Sequence, residues 1–375
     1  MVKTDCIYFP LDRPCSFHKE KGIFCPSCAR YVPIGAKRKA GKEILVIKLD
    51  AMGDVLRTTF LLPGIFRKYG KARITWVVAE SSVDILKGNP NIDEIWSYDK
   101  KIFDKLLSKK FDISINLDLS PSSLSLATLA VSAKKIGFWL DNARKIRSSN
   151  KFAEQWLLMS ASDKHKKNNK ESYQYWMSKI AGLPGHDYPI YVPLNKASKI
   201  KSDKFVSKYG LEGKTVVGIN PGAGKRWKMK RWTTKGFVKL IDVLHKQGVR
   251  VLLLGGPEEN EVINDIKHKT GGKAINTGTN NAIPDFFAIL SLCDLVVTGD
   301  TMALHAALGL GKKAVAVFGP TSSSEIFMYG RGEKIAADIE CACCYRPDCR
   351  VKPNCMETIS FEKVWYAVKR QLGLI

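Results

Sequence analysis

The sequence contains no run of eighteen apolar residues; its most apolar stretch, about residues 117–131, is broken by repeated serines. No membrane-spanning helix is therefore predicted. The N-terminus has no basic segment leading into an apolar one and carries Asp5, Cys6 and Asp12 instead, so the chain is expected to stay inside the cell. Neither the six-residue glycine fingerprint of a dinucleotide fold nor a P-loop occurs, which argues against dehydrogenase and ATPase chemistry. Acidic residues are scarce, 36 against 60 Lys and Arg, and no Asp-x-Asp pair stands at a predicted strand end to hold a divalent ion. Cysteine is nearly absent from the middle of the chain, where Cys293 alone lies between Cys28 and Cys341.

What is present fills 375 residues with 45% hydrophobic and 26% charged side chains. That composition excludes wholesale disorder and suits two domains with real cores. The net charge of +24 favours anionic partners: nucleic acid, an acidic membrane face, or phosphorylated small molecules. The charge is uneven. Residues 134–170 hold ten basic side chains against Asp141, Glu154 and Asp163, and residues 225–239 hold seven and no acid.

Strands and helices alternate from residue 43 onward. Buried strands are predicted at 43–49, 73–79, 92–98 and 111–117, with a helix over 54–69. After a Pro- and Gly-rich break at 184–193 the pattern restarts. Strands at 215–220, 250–254, 295–298 and 314–318 then alternate with helices at 196–209, 234–247, 258–269 and 301–308. Two doubly wound α/β domains in tandem follow, with a ligand cleft at the C-terminal ends of the strands. A basic linker at 37–42 precedes them.

Three segments reach that cleft edge. Gly53-Asp54-Val55 puts a carboxylate on a turn that opens a helix; Asp50 nearby reads as a turn residue. Asn220-Pro221-Gly222-Ala223-Gly224 leaves backbone amides free to approach an anion, followed by Lys225, Arg226, Lys228, Lys230 and Arg231 with Trp227 and Trp232 interleaved. That mixture also suits stacking of single-stranded nucleic acid. Asp300-Thr301, with His305 four residues on, opens a helix whose first amides face the cleft, and Gly319-Pro320-Thr321 makes a further turn.

Taken together in this order, Gly53-Asp54-Val55, Asn220-Pro221-Gly222-Ala223, Gly255-Gly256-Pro257-Glu258, Asp300-Thr301…His305 and Phe318-Gly319-Pro320-Thr321 resemble the heptosyltransferase family, glycosyltransferase family 9. The resemblance runs from about residue 43 to 372. It implies a GT-B fold of two Rossmann-like domains, a nucleotide-sugar donor such as ADP-heptose, and an inverting transfer that needs no metal or other cofactor. By position, Asp54 matches the catalytic acid and Lys230 the phosphate-binding lysine, with Lys228 an alternative. Gly222 and Ala223 match the donor turn, Glu258 the ribose acid, and Asp300, Thr301 and His305 the nucleotide site. Met302 stands where the family has glycine. The resemblance also implies that the last helix, about 361–372, returns to the N-terminal domain.

The expected division is then a cysteine-rich head (1–41), an acceptor domain (42–195), a donor domain (196–340), and a cysteine-rich tail with the returning helix (341–375). Expected partners are the donor, a lipid-linked acceptor of the lipopolysaccharide-core type and the anionic inner face of the cytoplasmic membrane; nucleic acid is not expected. A basic nucleic-acid-binding protein without catalysis is the alternative. Clustered thiols in a reducing compartment suggest metal, with disulfides or free thiols the other options. Cys6, Cys15, Cys25 and Cys28, with His18, form one candidate zinc or iron–sulfur set, and Cys341, Cys343, Cys344, Cys349 and Cys355 another. The two sets are expected to meet and staple head to tail, away from the cleft.

Overall fold

The computed structural model describes residues 2–3, 6, 8–10, 13–31 and 41–375. Asp5, Asp12 and most of the basic linker expected at 37–42 lie outside the described residues.

Two six-stranded sheets carry the molecule. The first is built from β1 (Lys42–Ile47), β2 (Ala72–Val78), β3 (Glu94–Ser97), β4 (Phe111–Asn116), β5 (Ser132–Leu140) and β6 (Ile146–Ser148). Its order is β3-β2-β1-β4-β5-β6, parallel except for the last pair. The second is built from β7 (Val216–Asn220), β8 (Arg250–Leu253), β9 (Ala274–Asn276), β10 (Leu295–Gly299), β11 (Lys313–Phe318) and β12 (Gly332–Ala336). Its order is β12-β11-β10-β7-β8-β9, parallel throughout. Continuous apolar runs such as Ile44-Leu45-Val46-Ile47 are buried on both faces, as a parallel sheet covered by helices requires. In each sheet the order reverses beside the first strand, β1 or β7, and that reversal opens a crevice at the strand ends.

The helix expected over 54–69 is two helices, Met52–Thr58 and Leu61–Tyr69. Pro63 has no N–H to offer the carbonyl of Thr59, and the Thr59 hydroxyl donates back to the Leu56 carbonyl at 2.7 Å. The basic stretch 134–170 is not a featureless surface: it forms β5, β6 and the helices Lys151–Ala161 and Asp163–Asn168.

The domains share a core. Val55 and Leu56 of Met52–Thr58 pack in one cluster with Ala303, Ala306 and Ala307 of the helix Met302–Gly309. Gly53 permits this approach, because a Cβ there would stand 3.2 Å from the His305 ring and 3.4 Å from the Met302 Cα.

The last helix, Phe361–Leu372, does not return to the N-terminal domain. Val364, Ala367 and Val368 are buried with Val217, Val251, Val297 and Val315 of the second sheet. Lys313 Nζ donates to the Gln371 carbonyl at 2.6 Å and Arg370 Nε to Glu333 at 3.0 Å. The apolar stripe of this helix finds its cover on the nearer sheet, so nothing drives it across. The chain bridges the domains earlier. The Tyr173 N–H donates to the Glu325 carbonyl at 2.9 Å, and Tyr329 Oη accepts from Gln174 and donates to the Tyr188 carbonyl.

Candidate active site

A cavity of about 690 Å³ lies between the sheets and gathers Asp54, Gly222, Ala223, Lys230, Glu258, Asp300, Thr301 and His305. Lys228 is exposed and not on its wall. Both lysines sit on the short turn Lys228–Lys230, whose geometry turns Lys230 inward and its neighbour out. Between the two lysines, only Lys230 is available to a bound anion.

On the N-terminal side, the Asp54 carboxylate is one-third exposed and meets Arg57 Nη2 at 2.8 Å and Lys48 Nζ at 4.0 Å. Burial opposes its ionisation, but Arg57, Lys48 and His305 outweigh that and hold the carboxyl down at about 2. Lys48 is buried at the end of β1, donating to Asp118 and to the Asp50 carbonyl. Desolvation lowers its proton affinity, and Asp118 and Asp54 reverse the sign, leaving it raised. The Asp50 side chain is exposed, and its carbonyl is the group that Lys48 meets. The Arg57 guanidinium stacks 3.7 Å over the Tyr173 ring, and its Nε is buried without a partner.

On the C-terminal side, Asn220 ties three strand ends together. Its Nδ2 donates to the Leu254 carbonyl at 2.9 Å, and its Oδ1 receives the hydroxyls of Thr298 at 3.0 Å and Thr301 at 3.2 Å. Glu259 joins the two glycine turns, accepting from the N–H groups of Gly224 at 2.8 Å and Gly256 at 2.9 Å. Gly222 is needed there, since a Cβ would fall 1.8 Å from Glu259 Cγ. Glu258 is exposed at the rim, where it accepts the Lys225 N–H at 2.8 Å. Lys230 Nζ is paired with Asp300 at 2.9 Å. Burial works against the Asp300 carboxylate, and Lys230, His305 and Arg57 nevertheless lower its pKa. Burial and the Arg57 charge push His305 down to about 4, so the ring is neutral at ordinary pH. Trp227 lies inside the cavity wall with Lys230 over its ring at 5.0 Å, and buried Trp232 donates to the Ile359 carbonyl at 3.0 Å. The interleaved tryptophans thus face the cleft and the tail rather than an outer surface.

Several cavity residues were not assigned from sequence: Lys48, Arg57, Asp118, Tyr173, Glu325 and Tyr345. Lys48 and Arg57 were within reach of sequence reading, because both flank Gly53-Asp54 and a lone carboxylate at a strand end calls for a counter-ion. The others arrive from distant segments.

The cysteines occupy two separate surroundings, one in the head and one in the tail. Among the described residues no three Cys, His, Asp or Glu side chains are grouped so as to hold a metal ion, and the ten cysteines are free thiols. In the head, the His18 ring is bonded to the Ile23 carbonyl and Cys25 Sγ receives the Lys3 N–H, while Cys6, Cys15, Cys25 and Cys28 line a separate cavity walled by head residues. In the tail, Cys355 is buried against Gly319, and its thiol is pushed up to about 11 by burial and by Cys344, Cys349 and Cys341 nearby. The Cys343 N–H donates to the Gly319 carbonyl at 2.9 Å and the Tyr345 N–H to the Pro320 carbonyl at 2.8 Å. The tail is therefore fastened to the cleft-edge turn after β11, and it places Tyr345 but none of its cysteines on the cavity wall.

This arrangement, two Rossmann-like sheets with a carboxylate facing a lysine and a helix start across one cavity, is that of a GT-B glycosyltransferase. Residues 100–354 match glycosyltransferase family 9 (heptosyltransferase), and the chain belongs to that family. It is similar to the lipopolysaccharide core heptosyltransferase OpsX of Haemophilus influenzae, 24% identical over 75% of this chain and 80% of that one. Among solved structures, a family 9 glycosyltransferase from Veillonella parvula superposes with a TM-score of 0.74 at 20% identity, covering 89% of this chain and 98% of that one. The ADP-heptose heptosyltransferase II of E. coli gives 0.64 at 17%, covering 88% and 99%.

Proposed function

We propose that this glycosyltransferase moves heptose or a similar sugar from a nucleotide-diphosphate donor to a lipopolysaccharide-core or related glycan, with inversion and without a catalytic metal. The observation that carries the reading is the placement of Asp54 and Lys230–Asp300 on opposite walls of one cavity. The names of similar proteins, a lipopolysaccharide core heptosyltransferase and an ADP-heptose heptosyltransferase, support heptose and ADP as the first choices.

In this mechanism Asp54 takes the proton of the acceptor hydroxyl as its oxygen attacks the anomeric carbon from the face opposite the diphosphate. Such a base is worth roughly 10²–10⁴-fold. Arg57 and Lys48 keep Asp54 ionised, at the expense of its basicity. An anionic ligand that draws on those two cations raises the proton affinity of Asp54 as the complex forms. The bond from the anomeric carbon to the diphosphate oxygen breaks, and the growing negative charge is met by Lys230 and the first amides of Met302–Gly309. Lysine, arginine and helix amides supply the charge stabilisation that a divalent ion provides in many phosphoryl transfers.

The +24 charge supports docking on the anionic inner membrane face, at roughly 1 kcal/mol per Lys or Arg near the surface. No helix among the described residues is long and apolar enough to cross a membrane. Thermal shifts with ADP-, GDP- and UDP-sugars identify the donor, and Asp54→Ala tests the base. Transfer by Asp54→Ala at the parent rate would sink the assignment. Vesicle binding that ignores anionic lipid and salt would do the same for membrane docking.

A further inference from the structure

The cavity is ordered along the second sheet. The turns after β7 and β8, with Asn281, Ile283 and Phe286, make one end; Lys230, Asp300 and Thr301 make the middle. The other end lies past β11, where Thr321, Ser322, Glu325 and Tyr345 face Asp54, Arg57 and Tyr173. If the nucleotide fills the first end and its diphosphate the middle, the transferred sugar occupies the last.

Glu325 is held there from both domains. Its backbone carbonyl accepts the Tyr173 N–H at 2.9 Å. Its Oε1 accepts the Tyr345 hydroxyl at 2.7 Å, and that hydroxyl in turn accepts the Ser322 N–H at 3.2 Å. The Tyr345 ring is covered by Lys166 Nζ at 4.3 Å, so the tyrosine is fixed at backbone, ring and hydroxyl. Among the described residues Glu325 makes no ion pair within 4.0 Å, and its second oxygen accepts no hydrogen bond. Beside it, the Thr321 hydroxyl is buried and unpartnered on the same wall.

A carboxyl group placed here is electrostatically costly. Burial raises its pKa, and the Asp300 and Asp54 charges act in the same direction against the opposing effect of Arg57. Unlike Asp300, which carries Lys230, Glu325 has no cation paired to it among the described residues and so brings no counter-charge for a diphosphate. Its open oxygen accepts hydrogen bonds, and sugar hydroxyls are donors of the right size and chemistry. We propose that Glu325, positioned by Tyr345 of the cysteine-rich tail, forms with Thr321 the subsite that holds hydroxyls of the donor's sugar. The inference rests on the glycosyltransferase reading above and assigns the end of the cleft that reading leaves open.

Calorimetric titration of ADP and ADP-heptose against the parent, Glu325→Ala, Glu325→Gln and Tyr345→Phe tests it. A hydrogen bond to a charged group predicts roughly 10- to 150-fold weaker ADP-heptose binding in Glu325→Ala. ADP affinity should stay at the parent value, which also shows that the variant is folded. Glu325→Gln, which keeps one acceptor oxygen, should recover part of the loss. Tyr345→Phe keeps the ring under Lys166 and should weaken the sugar nucleotide alone, by less than Glu325→Ala. Equal losses for ADP and ADP-heptose would make Glu325 a structural or nucleotide residue and overturn the proposal. Unchanged ADP-heptose affinity in a variant that binds ADP would also overturn it. A parent that binds none of the sugar nucleotides tested fails at the earlier step and overturns both readings.

Discussion

The two walls of the cleft are built on sheets of the same size and strand order, yet they work by different means. The N-terminal wall acts through side chains whose charges are paired at short range: Lys48 with Asp118, and Arg57 with Asp54. The C-terminal wall acts largely through backbone, with glycine turns tied by Glu259 and strand ends tied by Asn220. A wall of paired charges tunes proton affinity; a wall of fixed amides shapes a binding surface. Substitutions on the first should fall on turnover, and those on the second on donor binding and stability.

The largest effect is expected at Asp54. Asp54→Ala should cost about 10²–10⁴-fold in kcat with donor affinity retained, read from steady-state transfer and donor titration. A matching loss of donor affinity would erase the distinction between the walls. Lys230→Ala sharpens it from the other side. Loss of one charge-stabilising donor predicts about 10²–10³-fold in kcat/KM, together with weaker binding of the nucleotide diphosphate itself. Glu259→Gln tests whether the backbone wall depends on its carboxylate. One of two amide hydrogens would then face an NH₂ instead of an oxygen, and the protein should lose about 1–3 kcal/mol of stability, measured by denaturant titration. Parent stability would mean that the turns stand without it.

A smaller effect concerns pH. His305 is neutral in the fold down to about 4, against an ordinary value of 6.5. Between those values the unfolded chain binds a proton that the folded chain refuses. Its contribution is therefore intact above 6.5 and is lost as pH falls toward 4. His305→Gln should flatten that limb of the melting temperature against pH, and an unchanged slope would assign it elsewhere. Smallest of all, removal of the head should leave donor binding unchanged, because none of the described head residues lines the cleft.

Strand runs such as Thr215-Val216-Val217-Gly218-Ile219-Asn220 and glycine turns such as Gly255-Gly256-Pro257 were readable from sequence because their signals are local: continuous burial, then a breaker. The same holds for Asp54, Lys230 and Asp300, each within a few residues of such a breaker. Tyr173, Glu325 and Tyr345 gain no role from their local sequence. Their meaning comes from Arg57, 116 or more positions earlier, and from one another. The last helix was misplaced for the same reason: its apolar stripe requires cover but carries no address.

By itself the sequence determined two doubly wound sheets, the cleft between them and the residues that punctuate its strand ends, because period, burial and turn chemistry act over a few residues. Tertiary structure alone decided which charges pair across the cleft, that Lys230 and not Lys228 faces it, and that the cysteine-rich tail delivers Tyr345 to Glu325. Those outcomes depend on distances between segments far apart in the chain, and these exist once the two sheets have packed through Gly53 and Met302–Gly309.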